Sequence, residues 1–411
     1  MDRLTIRKDA EDMVLQSNTF LAERVKAKVS KGIHDVNRIA KELVDSGHRV
    51  ARLIQGEPDF DTPDHIKKAA EEALARGMTH YVPVEGILEL RKAVSCKIKE
   101  DLHVDYDPEK EILITEGGTL GIFIAFMAVI NPGDEVLIPE ITFGPYLNIL
   151  SIAQGKPVFI PVERKDERFI IHWERIPDLV TPRTKALVLN NPQNPLGTVM
   201  SPDELAIVGE MAVRHNLLIV SDEVYEKLVF DGLKHISIAS LSEELRERTI
   251  LVNSYSKTYA MTGWRIGYNA ANPELTKAMS RVYQASARCA APFTQMAALT
   301  AIRGPQDCVE EMRGEYDKRR KILYQGLKEI DGMITPYPQG AFYIFPDVRS
   351  FGMSSWDLTL HILREGHVVL SPGSYYGPGG EGYIRFSYAT SAEEIQMGIE
   401  GVKKALNKLR K

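Results

Sequence analysis

Short apolar runs alternate with helix-like segments through the middle third of the chain. EILIT (111–115), EVLIP (135–139), KPVFIPV (156–162), KALVLN (185–190), LLIVSD (217–222), TILVNS (249–254) and WRIGYNA (264–270) are the clearest runs. Segments so continuously apolar predict strands covered on both faces, with connections long enough for parallel pairing. Between them GGTLGIFIAFMAVI (117–130) predicts a helix. SPDELAIVGEMAVRHN (201–216) carries a helix start signal, with Ser201 as N-cap and Pro202 in the first turn.

The expected architecture is α/β: a large domain, residues 65–300, with a doubly wound, mostly parallel sheet. From about 301 the character changes. The charged amphipathic stretch VEEMRGEYDKRRKILYQGLKEI (309–330) leads to the short strands AFYIF (341–345) and YIRFSYA (383–389). Residues 301–411 then form a smaller α+β domain, completed by residues 1–64, an N-terminal extension and part of that domain. A helix starting near Pro273 is the expected link between the two. At 411 residues the chain exceeds the usual single core, in keeping with two domains.

In doubly wound sheets the ligand crevice lies beyond the carboxyl ends of the strands. Thr115–Gly118, Asn190–Gly197, Asp222 and Ser254–Lys257 all sit at such ends. Residues distant in sequence are therefore expected to converge on one site.

Composition narrows the classes. A 44% hydrophobic and 26% charged chain is an ordinary globular one, and a net charge of −5 gives no electrostatic footprint for nucleic acid or an anionic membrane. The longest apolar run, LGIFIAFMAVI (120–130), is too short to span a bilayer, and the N-terminus lacks a secretory pattern. Cys96, Cys289 and Cys308 are scattered and without metal-ligand spacing, which suits a reducing cytosol. A cytoplasmic protein is expected.

The polar residues at the strand ends carry the candidate chemistry. Lys257 either packs its stem with its head in water or, desolvated, acts as a Schiff-base lysine. Asp222 is either a turn aspartate or the carboxylate that pairs with a protonated pyridine nitrogen. Tyr225 follows one turn later, as packing or as a hydroxyl beside the same ring. Gly117-Gly118-Thr119, between strand and helix, form a plausible anion cradle that Ser254 and Arg265 could close. Asn194 lies in the turn-rich NNPQNPLG. Arg385 alternates inward in its strand, either as a carboxylate-binding fork or in a structural ion pair. Phe143 is a core aromatic or a stacking ring.

Taken together, GEPDFDTP (56–63), YVPVEGILELRKAV (81–94), NPQNPLG, SDEVYEKLVF, SYSKTYAMTGWRIGY and YIRFSYAT resemble the class I/II aminotransferases of pyridoxal-phosphate fold type I. The resemblance runs in order from about residue 30 to the C-terminus. It implies pyridoxal 5'-phosphate as cofactor, with Lys257 bonded to it and Asp222 at its ring nitrogen. It further implies Asn194 and Tyr225 at the ring oxygen, Phe143 on the ring, and Gly118, Thr119, Ser254 and Arg265 at the phosphate, with Ser256 a weaker candidate. Tyr81 matches a tyrosine that reaches the partner subunit's phosphate, so a homodimer with shared sites is implied. Arg385 matches the arginine of the substrate α-carboxylate, aided by Asn194 and Gly56.

The implied reaction is a ping-pong transamination between an amino acid and a 2-oxo acid. Relatives that use aspartate often carry a lysine where this chain has Thr119, and a threonine where it has Ile33. Both departures favour a neutral, apolar or aromatic side chain. Arg288, in a segment near the partner's active site in relatives, is either another cation for an acidic substrate or a solvated interface arginine. Two alternatives stand beside transamination: a lyase on the same scaffold, and a non-catalytic cofactor-binding module. The intact Lys257 and Arg385 argue against the second.

Overall fold

The computed structural model describes residues 20–25 and 33–409. Most of the expected N-terminal extension lies outside these residues. A seven-stranded sheet organises the larger part of the chain. Its order is Ile112–Thr115, Gly267–Ala270, Thr249–Ser254, Leu218–Asp222, Thr184–Asn190, Glu135–Pro139, Lys156–Ile160.

The five strands from Thr249–Ser254 to Lys156–Ile160 run parallel. Alternation distributes their side chains between two cores. Val136, Ile138, Val188 and Val220 pack on one face with Ile122 and Phe126 of the helix Gly118–Val129. Leu137, Leu187, Leu189 and Ile219 pack on the other with Leu205 and Val208 of the helix Pro202–Arg214. Each such side chain contributes about 2 kcal/mol by leaving water. The Pro202–Arg214 helix begins at a full capping box, Ser201 and Glu204 each bonding the other's backbone N–H.

Two expectations need correction. WRIGYNA forms a strand only over Gly267–Ala270, and that strand is antiparallel to both neighbours. It follows Thr249–Ser254 after a connection holding one four-residue helical turn, Tyr255–Thr258, and returns from the same sheet edge. A parallel pairing would need a crossover back to the other end. KPVFIPV breaks at Pro161 into Lys156–Ile160 and Val162–Lys165, the latter pairing with Arg168–Ile171 in a separate hairpin. Lys156–Ile160 is an edge strand with exposed Lys156 and Pro157, so it is not covered on both faces.

A second body gathers the C-terminal helices Asp307–Lys328, Ser355–Gly366 and Ala392–Leu409. Leu323, Leu358, Ile395 and Val402 from these helices share a core with Phe342 and Phe386. The antiparallel strands Tyr343–Ile344, Ile384–Ser387 and Ser371–Pro372 form its sheet. The N-terminal strand Ala51–Arg52 pairs with Val368–Val369, tying the start of the chain to its end. Among the described residues no helix is long and apolar enough to cross a membrane.

Candidate active site

The carboxyl ends of four sheet strands and the N-terminal strand Ala51–Arg52 meet the C-terminal body around a cavity of about 430 Å³. Asp222, at the last position of its strand and 4% exposed, points into it. Burial pushes its carboxyl up to about 6, against hydrogen bonds donated by the Tyr146 hydroxyl and, at 3.3 Å, the Val224 N–H. The neighbouring strand ends in Asn190, whose Nδ2 donates to the Asp222 carbonyl at 3.1 Å. Its Oδ1 accepts the Asn194 N–H at 2.8 Å, which turns the NNPQNPLG loop toward the cavity.

Ser254 closes the next strand and caps the helical turn that carries Lys257, its Oγ accepting the Ser256 N–H at 3.2 Å. Lys257 Nζ donates to the Gly56 carbonyl at 2.5 Å. Burial lowers the amine to about 8; Glu57 opposes that shift, while Arg385 and Arg265 add to it. The group is still mostly protonated at neutral pH, but it gives up its proton far more readily than a solvated lysine.

An anion cradle lies alongside. Gly117 has φ +87°, and a Cβ there would sit 2.8 Å from Nη2 of Arg265. The glycine therefore lets the guanidinium approach the N-terminus of the helix opened by Gly118. Arg265 is oriented by carbonyls, donating to Thr262 at 2.8 Å and Glu116 at 3.3 Å.

Arg385 is 5% exposed, and its guanidinium lies 4.1 Å from the Tyr343 ring centroid and 5.1 Å from that of Tyr376. It donates to Asn194 Oδ1 at 3.1 Å and to the Ile54 carbonyl at 2.8 Å, and its Nε has no partner. Among the described residues it forms no ion pair. Fully buried Arg320 holds both Asp231 and Asp317, whereas buried Arg91, away from the cavity, is satisfied by the carbonyls of Gly86, Pro108 and Glu109. A buried, uncompensated cation in a cavity is a site for an anionic ligand.

Every expected site residue except Gly117, Tyr81, Arg288 and Ile33 lines this one cavity. Tyr81 lies outside it, 77% exposed, with the Arg288 guanidinium 4.7 Å from its ring centroid. Ile33 opens the helix Ile33–Asp45, whose Asn37 lines the cavity; its own side chain lies outside the described residues. Four participants escaped the sequence: Tyr146 behind Asp222, Tyr343 bonded hydroxyl to hydroxyl with Tyr225 at 2.8 Å, and Asn37 and Arg52 on the wall formed with the N-terminal segment.

The sequence profile described as aminotransferase class I and II matches residues 49–402. The chain belongs to this family. The aminotransferase is 44% identical over 371 residues to aromatic-amino-acid aminotransferase 2 of Thermococcus litoralis, covering 89% of this chain and 95% of that one. It is 43% identical over 353 residues to an aspartate aminotransferase of Pyrococcus abyssi, covering 85% and 90%. Among solved structures it matches the aromatic aminotransferase of Pyrococcus horikoshii with a TM-score of 0.86 at 41% identity, covering 90% of this chain and 99% of that one. The fold is that of the pyridoxal-phosphate fold type I enzymes, and the reaction is transamination.

Proposed function

We propose that this transaminase, a cytoplasmic homodimer, binds pyridoxal 5'-phosphate in the cavity and uses it to exchange the amino group of an L-amino acid for the oxo group of a 2-oxo acid. The observation that carries the reading is the buried Arg385, without a carboxylate partner, in one cavity with a deprotonable Lys257.

The residues present fit the cofactor. The Gly117–Gly118 turn, Ser254 and Arg265 offer hydroxyl, backbone and guanidinium donors for the phosphate. Asp222 offers a buried carboxylate for the ring nitrogen, Tyr225 and Asn194 donors for the ring oxygen, and Phe143 a face for the ring. When bound, the cofactor supplies an aldehyde for the amino group and an electron-withdrawing ring.

The protein's own part follows from its geometry. Arg385 and Asn194 hold the α-carboxylate and so fix the substrate Cα. Lys257 Nζ, lowered to about 8, takes the Cα proton as general base and later gives a proton back. Asp222, ionised above about 6, keeps the ring nitrogen protonated. The overall balance is amino acid plus 2-oxo acid giving the complementary 2-oxo acid and amino acid. A site shared between subunits is supported by Tyr81, which is exposed and lies outside its own protomer's cavity.

The test is a half-reaction: the holoenzyme is mixed with single amino acids and the absorbance change of cofactor amination followed. Amination with release of a stoichiometric 2-oxo acid supports the reading. Ammonia or a cyclised product without amination would replace it with a lyase.

A further inference from the structure

Three arginines line the cavity: Arg52, Arg265 and Arg385. Among the described residues none has a carboxylate within ion-pairing distance, although the chain pairs Arg246, Arg319 and Arg320 with two or more acids each. With Lys257 the three cavity arginines outnumber the two carboxylates of the lining, Glu57 and Asp222, and that cationic excess suits anionic groups. The proposed function accounts for two of them, the cofactor phosphate at Arg265 and the substrate α-carboxylate at Arg385. Arg52 remains.

Its position is built by its strand. In Ala51–Arg52, paired with Val368–Val369, Ala51 enters the C-terminal core while Arg52 turns to the opposite side. Ile54 follows on that side, its carbonyl already held by Arg385. The guanidinium of Arg52 makes one hydrogen bond, from Nη2 to Asn37 Oδ1 at 3.3 Å. The acid nearest to it in the bonding pattern, Glu394, accepts the Arg52 backbone N–H at 2.7 Å and takes nothing from the guanidinium. Asn37, Arg52 and Gln55 thus give the cavity a polar stretch of lining from the N-terminal segment.

We propose that Arg52 is a specificity-determining residue that binds the side-chain carboxylate of a dicarboxylic amino acid or 2-oxo acid, with Asn37 holding the guanidinium in place. The proposal rests on the transaminase reading of the same cavity. Thr119 and Ile33, whose identities favour a neutral side chain, belong to other segments, and the cation reaches the cavity from the strand instead. A planar fork on a polar wall can grip a carboxylate with two parallel hydrogen bonds.

The experiment measures half-reaction kcat/KM for aspartate, glutamate, leucine and phenylalanine in the wild-type holoenzyme and in Arg52→Met and Arg52→Lys. The wild type is expected to favour the two dicarboxylates. Arg52→Met should lower their kcat/KM by about ten- to a hundredfold more than that of leucine or phenylalanine, the loss of one charge-assisted contact. Arg52→Lys should recover part of it, which a folding defect in the Met variant would not imitate. Two results overturn the assignment: a wild type that prefers leucine or phenylalanine, or an Arg52→Met variant in which all four substrates fall alike. A wild type that aminates its cofactor with none of the four, nor with any other amino acid, would overturn the transaminase reading itself.

Discussion

The hydroxyl of Tyr146, on a side chain with no exposure, donates a hydrogen bond to Oδ2 of Asp222 from the side away from the cavity. The bond favours the ionised carboxylate, against the burial that pushes this group up to about 6. Tyr146→Phe removes the donor and keeps the ring. One charge-assisted bond is worth about 1.5 kcal/mol, or roughly one pH unit. The acid limb of the kcat profile should move upward by that amount, with rates converging on wild type at higher pH. An unchanged limb would sink the positioning role.

Asp222 also sets the acid stability of the protein without cofactor. Its carboxyl rises from an ordinary 3.8 to about 6, so the folded form binds the extra proton between those values. Stability then falls as pH rises through that window and stays reduced above it; two units amount to about 3 kcal/mol. Asp222→Asn, without a charge to bury, should be more stable than wild-type apoprotein at pH 7. The gap should close as pH drops toward 4. Denaturant melts of both apoproteins across pH 4–7 read this directly, and a gap independent of pH contradicts it.

Lys257 runs the other way. Its amine is lowered from 10.5 to about 8, chiefly by burial, so the folded state disfavours the charged form. The penalty is present below about 8 and relieved as pH rises toward 10.5. Lys257→Met apoprotein should exceed wild type in stability at pH 7, with the difference shrinking in that upper window. Recombination of wild-type apoprotein with pyridoxal phosphate should accelerate with pH around a midpoint near 8. A midpoint above 10 would mean an ordinary solvated lysine.

How much of this was legible in the sequence depends on how local the signal is. The apolar strand runs and the polar residues at their carboxyl ends put Lys257, Asp222, Asn194 and Ser254 at one site, because sheet topology makes strand ends converge. Strand direction was not legible for Gly267–Ala270, since periodicity carries no polarity. Tyr146 was hidden because an aromatic in an apolar helix looks like core, and its ring is core; only the hydroxyl reaches Asp222. Arg52 was hidden because nothing in RVARLI marks which face of that segment meets a cavity. The side bearing Arg52 turns inward only once the N-terminal segment pairs with Val368–Val369.

Gly117 is where the backbone itself makes the anion site. Its φ of +87° disfavours any other residue, and a Cβ would strike the Arg265 guanidinium. Gly117→Ala should therefore cost about 1–3 kcal/mol in backbone strain and displace the phosphate-facing cation. Equilibrium titration should show weaker binding of both pyridoxal phosphate and inorganic phosphate. Gly133→Ala, also at positive φ but with open space around it, should carry a strain cost without a change in cofactor affinity. Equal effects of the two would assign the loss to strain alone.

Tyr81 tests whether the sites are shared. It stands 77% exposed outside its own protomer's cavity, held by the Arg288 guanidinium at 4.7 Å from its ring. In a symmetric dimer such a residue can complete the neighbouring site. Tyr81→Ala and Lys257→Ala homodimers should each be impaired, the first in cofactor affinity and the second in turnover. A hybrid with one protomer of each kind has one site that combines an intact Lys257 with the other chain's intact Tyr81. Purified through two different tags, it should regain roughly half the wild-type activity per dimer, one site of two. If Tyr81 served its own chain, neither site of the hybrid would be whole. Its activity would then stay at half that of the Tyr81→Ala homodimer.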